Sequence, residues 1–217
     1  MLVLRSGMGT TEPPQLATRR ERVRAYFARQ AAVYDQGSSR GVWAWMRRLE
    51  TPVVMELLQL RPGERVLDAG SGTGHYTRRL QEAGGAVTAL DVEPAMIAAL
   101  RERLHVDTIL GDLMTVPLEP IFDRIVCAGV LEFVQDPAAV VSNLAKGLRP
   151  DGPRVLLVLV LARCLPGLGY WAARRTNGIN MPMFSVRGLE ELAAAAGLKV
   201  QEVRRAGYNY VARFGPK

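Results

Sequence analysis

The residues of this sequence best suited to chemistry lie in a glycine-rich stretch. Residues 65–74 read RVLDAGSGTG, in which apolar residues suited to a buried strand lead into Gly70, Gly72 and Gly74 at every second position. Glycine allows a tight turn and lets a ligand approach the backbone closely, while the helix that follows presents unpaired N-terminal amides. The stretch therefore predicts a strand, a turn and a ligand held against that turn.

An acid further along the chain indicates what kind of ligand this is. Asp91 follows Gly70 by 21 positions, after the segment VTAL, which reads as the second strand of a β-α-β unit. In nucleotide-binding folds an acid at this position binds ribose hydroxyls. The turn and the acid together predict a nucleoside-like ligand.

The spacing of the glycines argues against a dinucleotide. The fingerprint G-x-G-x-x-G fails because its last position is His75 when counted from Gly70 and Thr77 when counted from Gly72. The observed pattern is D-x-G-x-G-x-G, with Asp68 inside the strand, where a carboxylate is costly to bury without a partner. A cationic ligand would supply that partner, whereas NAD(H) and a dehydrogenase reaction are not expected.

A regular alternation of strand and helix patterns positions the turn and the acids. After the strand that ends at Asp91, further strands are predicted at 106–110, 122–129, 155–162, 199–206 and 208–214. Strands that alternate with helices form parallel sheets covered by helices. The predicted fold class is α/β, with a Rossmann-like, doubly wound sheet of seven strands that is mostly parallel and has an antiparallel last strand.

The sequence resembles the class I S-adenosylmethionine-dependent methyltransferases over about residues 22–162. The first motif of that family reads much like VLDAGSGTG, and the second ends in an acid like Asp91. Three more segments carry the resemblance: GDL at 111–113, VLEFVQDP at 130–137 and LRPDGP before the fifth strand. A helix pattern at 184–198 extends it. The chain is most similar to the small-molecule type, such as the quinone and porphyrin biosynthesis methyltransferases.

The resemblance implies S-adenosylmethionine as the cofactor and S-adenosylhomocysteine as its product. The glycine turn would accommodate the methionine part, Asp68 would lie near its charged end, Asp91 would take the ribose and Asp112 the adenine. Asp112 also has a plainer interpretation as a loop cap. The implied cofactor-binding residues are Tyr34, Asp68, Gly70, Gly72, Gly74, Asp91, Val92, Met96, Asp112, Leu113 and Ala128.

The length of 217 residues suits a single domain with one sizeable core. We expect a mobile tail at 1–17, helices forming a lid at 18–60, the cofactor-binding core at 61–162, a cap insertion at 163–183, and a C-terminal helix and strands at 184–217.

Two helices are predicted in the lid. Thr18 and Glu21 have the spacing of a capping box, which opens the first helix. That helix ends near Tyr34, which is either a lid residue over the cofactor, as the resemblance implies, or the last core-facing residue of an apolar stripe. Thr51 as N-cap and Pro52 at the first helical position predict the start of the second helix.

The cap segment is too long and too aromatic for a plain connection. Insertions at this point form substrate caps in related enzymes. Tyr170 and Met183 could line a pocket for a flat or greasy acceptor, and Arg174 with Arg175 could meet its anionic group. Equally, the aromatic residues could only seal the cap against the core.

The resemblance implies direct transfer of the sulfonium methyl group to an O, N or C atom of the acceptor, and such a transfer does not always need a general base. Where the family often has a histidine after the fourth strand, this chain has Phe133, which makes the wall of the site apolar. If a base is needed, the candidates are Glu132, Tyr34 and His75, in that order. A lone histidine is more often structural or exposed.

The expected acceptor is a small molecule, aromatic or lipid-soluble. Nucleic acid is the first rival, but the segment AGVLEF after the fourth strand lacks the N-P-P-F or D-P-P-Y element that holds a flipped base, and no RNA-binding module is evident. Protein and phospholipid acceptors stay open, as do a cofactor-binding protein without turnover and the oligomeric state.

The formal net charge of +7 is concentrated at the ends of the chain. Residues 1–50 carry +5 and residues 199–217 carry +4, whereas residues 61–150 carry −3. The basic ends indicate either a solvated surface or contact with an anionic partner.

The two cysteines, Cys127 and Cys164, offer no disulfide framework and no metal cluster. We therefore expect no metal and a cytoplasmic location. The longest aliphatic run, at 155–162, is far too short to span a membrane, which leaves only peripheral membrane contact open.

Overall fold

Alternating strands and helices build one sheet in the part of the chain that the computed structural model describes, namely Val23, residues 41–163 and residues 181–217. The elements in chain order are α1 Gly41–Leu58, β1 Arg65–Ala69, α2 His75–Glu82, β2 Ala86–Asp91, α3 Pro94–Arg101, β3 Asp107–Leu110, β4 Arg124–Ala128, α4 Pro137–Lys146, β5 Val155–Leu161, α5 Val186–Ala195, β6 Leu198–Ala206 and β7 Asn209–Pro216.

The sheet has seven strands in the order β3-β2-β1-β4-β5-β7-β6. The strands β1 to β5 pair in parallel, and β7 is antiparallel to both of its neighbours, β5 and β6. This confirms the predicted Rossmann-like fold and its antiparallel last strand. The strand order reverses between β1 and β4, and ligands bind at such a switch point, beyond the carboxyl ends of the strands.

The core lies on both faces of the sheet. Successive residues of a strand point to opposite faces, so Val66 of β1 packs with α1 and α2, whereas Leu67 packs with α4 and α5. Strands buried on both faces are apolar throughout, as β5 is with its sequence VLLVLVL. The carboxyl end of β1, with its turn, is thereby fixed from both sides.

One helix boundary differs from the prediction. Thr51 and Pro52 do not begin a helix, because α1 runs through both of them. The apolar face of α1 continues across the proline, since Met46 before it and Val54 after it are both buried. A proline inside a helix removes one backbone hydrogen bond, and the packing of this face on the sheet compensates for that loss.

Several sequence predictions fall on residues outside the described ranges. These are the tail, the capping box at Thr18, the lid residue Tyr34, and the cap residues Tyr170, Arg174 and Arg175. The division into tail, lid, core and cap stays a prediction. Among the helices of the described residues, none has the length and apolarity needed to cross a membrane.

Candidate functional site

A cavity of about 660 Å³ opens at the switch point of the sheet. Four loops form it, each following a strand: the glycine turn after β1, the end of β2, the loop after β3 and the loop after β4. From α1, Arg47 also reaches it. The lining residues are Val23, Arg47, Asp68, Gly70, Ser71, Gly72, Thr73, His75, Tyr76, Asp91, Val92, Glu93, Met96, Asp112, Leu113, Met114, Ala128, Gly129, Val130, Phe133, Val134 and Gln135.

The cavity brings together nine of the eleven residues for which the sequence predicts cofactor binding. These are Asp68, Gly70, Gly72, Asp91, Val92, Met96, Asp112, Leu113 and Ala128. The tenth, Gly74, is the residue before α2 and does not line the cavity. The eleventh, Tyr34, is outside the described ranges.

Gly70 and Gly72 of the glycine turn differ in how much space a side chain would have. Gly70 has a φ of 78°, and a Cβ there would lie 2.3 Å from Cγ2 of Val130. Gly72 has a φ of 54°, but a Cβ there would meet nothing within 4 Å. Glycine is therefore required at position 70 because Val130 packs closely against it. At Gly72 the space beside the backbone is open, and this residue lines the cavity.

Gly70→Ala is expected to destabilise the fold far more than Gly72→Ala. Left-handed backbone costs a non-glycine residue about 1–2 kcal/mol at both positions, and only Gly70→Ala adds overpacking of about 1–3 kcal/mol. Urea unfolding of the two variants measures this difference. The additional replacement Val130→Ala should restore part of the stability of Gly70→Ala, and equal losses for the two glycine variants would contradict the packing argument.

Asp91 ties the end of β2 to the glycine turn. Its Oδ2 accepts a hydrogen bond from the backbone N–H of Gly72 at 2.9 Å, and its Oδ1 accepts one from the N–H of Glu93 at 2.9 Å. Burial raises the pKa of this carboxyl, and these amide donors act in the opposite direction. A carboxylate has about four lone-pair sites, so Asp91 can hold the turn and still accept from a ligand in the cavity.

Asp68 is a buried carboxyl at the bottom of the cavity, only 2% exposed. The hydroxyl of Thr77 donates to its Oδ2 at 2.6 Å, from the first turn of α2. Burial and, to a smaller extent, the charge of Asp91 raise the pKa of Asp68 to about 6, against the opposing effect of this hydrogen bond. The sequence reasoning missed Thr77, although its position nine residues after Asp68 in the strand-turn-helix unit could have indicated it.

Asp112 has a structural partner of its own in the loop after β3. Its Oδ1 accepts a hydrogen bond from the N–H of Met114 at 3.0 Å, which is the local turn pattern of an aspartate. The neighbouring Leu113 is buried and lines the cavity as well. Asp112 thus has the loop-capping role considered from the sequence and also faces the ligand space.

A cluster of polar residues lies between α1 and the start of α2, and of its members the sequence indicated only His75 as a site residue. Thr51 Oγ1 is 3.0 Å from His75 Nε2, and Arg47, His75 and Tyr76 line the cavity. Burial lowers the pKa of His75 to about 4, and the positive charges of Arg47 and two further arginines lower it as well. His75 is therefore neutral at pH 7. Burial raises the pKa of Tyr76, which keeps its phenol protonated.

Glu132, the first of the candidate bases, does not line the cavity. Its Oε1 accepts a hydrogen bond from the N–H of Leu161 at 2.5 Å, so that its side chain joins the loop after β4 to the end of β5. Burial raises its pKa to about 7. Phe133, next to it, lines the cavity, and Val130 and Val134 add to the same apolar wall.

The substrate candidate Met183 and the cysteine Cys127 do not line the cavity. Met183 is half-buried and is not among the lining residues. Cys127 is a fully buried residue of β4, and burial raises the pKa of its thiol. Within the described residues, no three His, Cys, Asp or Glu side chains form a group that could hold a metal ion.

The sequence matches the model of a family described as a methyltransferase domain, over residues 42–203. Among curated proteins, it is 34% identical to a malonyl-[acyl-carrier protein] O-methyltransferase of Serratia marcescens over 148 residues, which cover 66% of this chain and 54% of that protein. It is 30% identical to a ubiquinone biosynthesis O-methyltransferase of Xanthomonas campestris pv. campestris over 50% of this chain and 49% of that protein. The chain thus spans about half the length of these relatives.

Solved structures show the same fold at low sequence identity. Magnesium protoporphyrin IX methyltransferase from Synechocystis PCC 6803, crystallised with S-adenosylhomocysteine, superimposes with a TM-score of 0.72 at 18% identity and covers 92% of this chain and 100% of its own. A chain from the complex between the Haloferax volcanii Trm112 methyltransferase activator and a methyltransferase gives a TM-score of 0.75 at 17% identity, with 88% and 98% coverage.

Proposed function

We propose that this chain, which belongs to the methyltransferase domain family, transfers the methyl group of S-adenosylmethionine to a small-molecule acceptor. The observation that carries the proposal is the convergence of Asp68, Asp91 and Asp112 on one cavity beside the glycine turn. Three acids at the ends of three strands offer separate acceptors for the charged, ribose and adenine parts of this cofactor. The family match and the methyltransferases with the same fold support the same donor.

The residues of the cavity fit a ligand that is cationic at one end. The carboxyl of Asp68 is buried against the cavity, and a ligand ammonium would offset its cost of burial. Ser71 Oγ is also buried and makes no hydrogen bond to the described residues, so a polar group of the ligand can take that place. Gly72 leaves the adjoining space open.

When bound, S-adenosylmethionine supplies an electrophilic methyl group on a positively charged sulfur. The chain binds and orients the reactants and excludes water. Val130, Phe133 and Val134 form an apolar wall after β4, and such a wall desolvates an acceptor held next to the cofactor.

The titratable groups near the cavity favour an acceptor whose nucleophilic atom is already deprotonated, because the described part of the chain offers no good general base there. His75, with a pKa of about 4, is a weak base, and Tyr76 stays protonated. Glu132 has a pKa of about 7, but its carboxyl is bonded to Leu161 outside the cavity lining. We therefore propose as acceptors a carboxylate, a phenolate, an enolate or a neutral amine, carried by an aromatic or lipid-soluble molecule.

Cofactor affinity is expected to fall as the pH falls below about 6. A ligand cation beside Asp68 lowers the pKa of that carboxyl below the value of about 6 that it has in the free protein, so binding favours the ionised form. Between the bound and free pKa values, the dissociation constant should rise about tenfold for each pH unit. Isothermal calorimetry between pH 7.5 and 5 measures this change. Asp68→Asn should remove it, whereas a flat profile for the native chain would exclude an ionised Asp68 as the partner.

The acceptor class is tested by a screen that measures release of S-adenosylhomocysteine. Candidates should include aromatic carboxylic acids, phenols, quinols and acyl thioesters with a free carboxylate, with Asp91→Ala as the inactive control. Turnover on one of these acceptors is the expected result. Turnover only on RNA, protein or phospholipid would move the activity to another class, and cofactor binding without turnover would indicate a binding protein. The cytoplasmic location stays a prediction.

A further inference from the structure

An exposed surface of aromatic, aliphatic and basic residues lies where α1 meets the turn between β6 and β7. We call it the aromatic-basic surface, and its members are Trp45, Arg48, Leu49, Arg205 and Tyr208. Trp45, Leu49 and Tyr208 are 49%, 38% and 42% exposed. Large apolar side chains exposed singly are ordinary, but a cluster of them marks an interaction site.

The five residues are neighbours on the surface, and Arg48 adjoins Trp45 because residues three positions apart are adjacent on a helix. The rings of Trp45 and Tyr208 meet edge to face with 6.4 Å between their centroids. A Cβ placed on Gly207 would lie 3.4 Å from Cδ1 of Leu49, which shows how closely the turn approaches α1. Arg205 joins the same turn, because its Nε donates to the carbonyl oxygen of Gly207 at 3.1 Å.

The structure beneath this surface holds it in place. Glu50 Oε1 accepts a hydrogen bond from Asn209 Nδ2 at 2.6 Å, which links α1 to β7. The N–H of Ala162 donates to the carbonyl oxygen of Tyr208 at 2.9 Å, so the turn lies next to the carboxyl end of β5. The surface is thus at the same end of the sheet as the cavity, where the parallel strands have their carboxyl ends. Arg47, on the same turn of α1 as Arg48, lines that cavity.

We propose that the aromatic-basic surface docks the protein on an anionic lipid bilayer. Trp and Tyr side chains favour the headgroup region of membranes, and arginines near the surface are attracted by anionic lipids. None of the five residues of the surface is acidic. Glu56, an acid further along α1, is about 16 Å from Trp45 at the helical rise. Its carboxylate is paired with Arg204 at 2.7 Å, which offsets its charge.

The docking proposal rests on the proposed function in one respect, namely that the methyl acceptor is lipid-soluble. Such an acceptor would reach the cavity from the bilayer. Docking of the surface would place the cavity near the headgroups, since both lie at the carboxyl end of the sheet and Arg47, next to Arg48 in α1, lines the cavity. The apolar wall at Phe133 would then receive an acceptor that partitions into lipid.

Co-sedimentation of the full chain with vesicles tests the docking. We expect binding to phosphatidylcholine vesicles that contain phosphatidylglycerol, weakening as salt is raised, and little binding to pure phosphatidylcholine. The double variant Arg48→Gln/Arg205→Gln should bind about fivefold more weakly for each charge removed. Trp45→Ala/Tyr208→Ala should also weaken binding and should leave the charge dependence in place.

A matched control lies elsewhere on the surface. Val186 and Arg187 are an exposed apolar and basic pair at the start of α5. The variant Val186→Ala/Arg187→Gln should bind vesicles like the native chain. Cofactor affinity is measured on every preparation, so that a misfolded variant is recognised and a failure of the methyltransferase assignment is seen separately from a failure of docking.

Two results would overturn the docking proposal. The first is no binding of the native chain to anionic vesicles, and the second is equal binding by the native chain and both surface variants. If the second result comes with a higher KM of the surface variants for an acceptor carried on a protein, the surface docks a protein partner instead.

Discussion

Replacing Asp91 with alanine is expected to weaken the binding of S-adenosylmethionine about a hundredfold or more, because hydrogen bonds to a charged group contribute about 1.5–3 kcal/mol each. The change removes the proposed ribose acceptor. It also removes the hydrogen bonds to the N–H groups of Gly72 and Glu93, which fix the turn against β2. Isothermal calorimetry measures the affinity directly.

Asp107→Ala is a suitable control for Asp91→Ala. Asp107 is an exposed acid at the start of β3, the strand that pairs with β2, and it does not line the cavity. Its replacement should leave the affinity unchanged. If Asp91→Ala binds the cofactor as tightly as Asp107→Ala does, the carboxylate at the end of β2 is not a cofactor ligand.

Replacing Asp68 with asparagine is expected to stabilise the free protein while weakening cofactor binding. Burial raises the pKa of Asp68 to about 6 from an ordinary value of 3.8, so the ionised carboxyl destabilises the fold above about pH 6. This destabilisation decreases as the pH falls from 6 towards 3.8. Asparagine carries no charge and can still accept from Thr77. At pH 7, we expect a rise in Tm of about 2–6 °C, from a gain of about 1–2 kcal/mol.

The two effects of Asp68→Asn are measured on one preparation. Thermal unfolding without ligand gives the stability, and calorimetry with S-adenosylmethionine gives the affinity, which should fall by about tenfold or more since an ammonium loses its charged partner. The increase in Tm should shrink when the unfolding is repeated near pH 5. A variant that is less stable than the native chain at pH 7 and binds the cofactor normally would show that Asp68 has only a structural role.

Local sequence patterns determine the parts of the site that could be predicted. The turn at Gly70 and Gly72 and the acid at Asp91 belong to one β-α-β unit, whose strand and helix lengths bring them together without help from the rest of the chain. The antiparallel β7 was predictable for a related reason, because β6 and β7 are joined by the short turn at Gly207 and alternate as a hairpin does.

The parts that could not be predicted depend on packing between distant segments. Arg47 reaches the cavity, and Thr51 meets His75 at the start of α2, because α1 packs on β5, β6 and β7, and no spacing in the sequence shows this. The same packing carries α1 through Pro52, which by itself is a helix-starting signal. Glu132 follows β4 in the sequence, yet its carboxyl is bonded to the end of β5 rather than facing the cavity.

The central claim is that the cavity beside the glycine turn is the site of S-adenosylmethionine. Calorimetric titration of the native chain with S-adenosylmethionine and, separately, with NADH tests this most directly. We predict saturable binding of one S-adenosylmethionine per chain, displaced by S-adenosylhomocysteine, and no binding of NADH. No heat with S-adenosylmethionine, or binding of NADH at the same site, would contradict it.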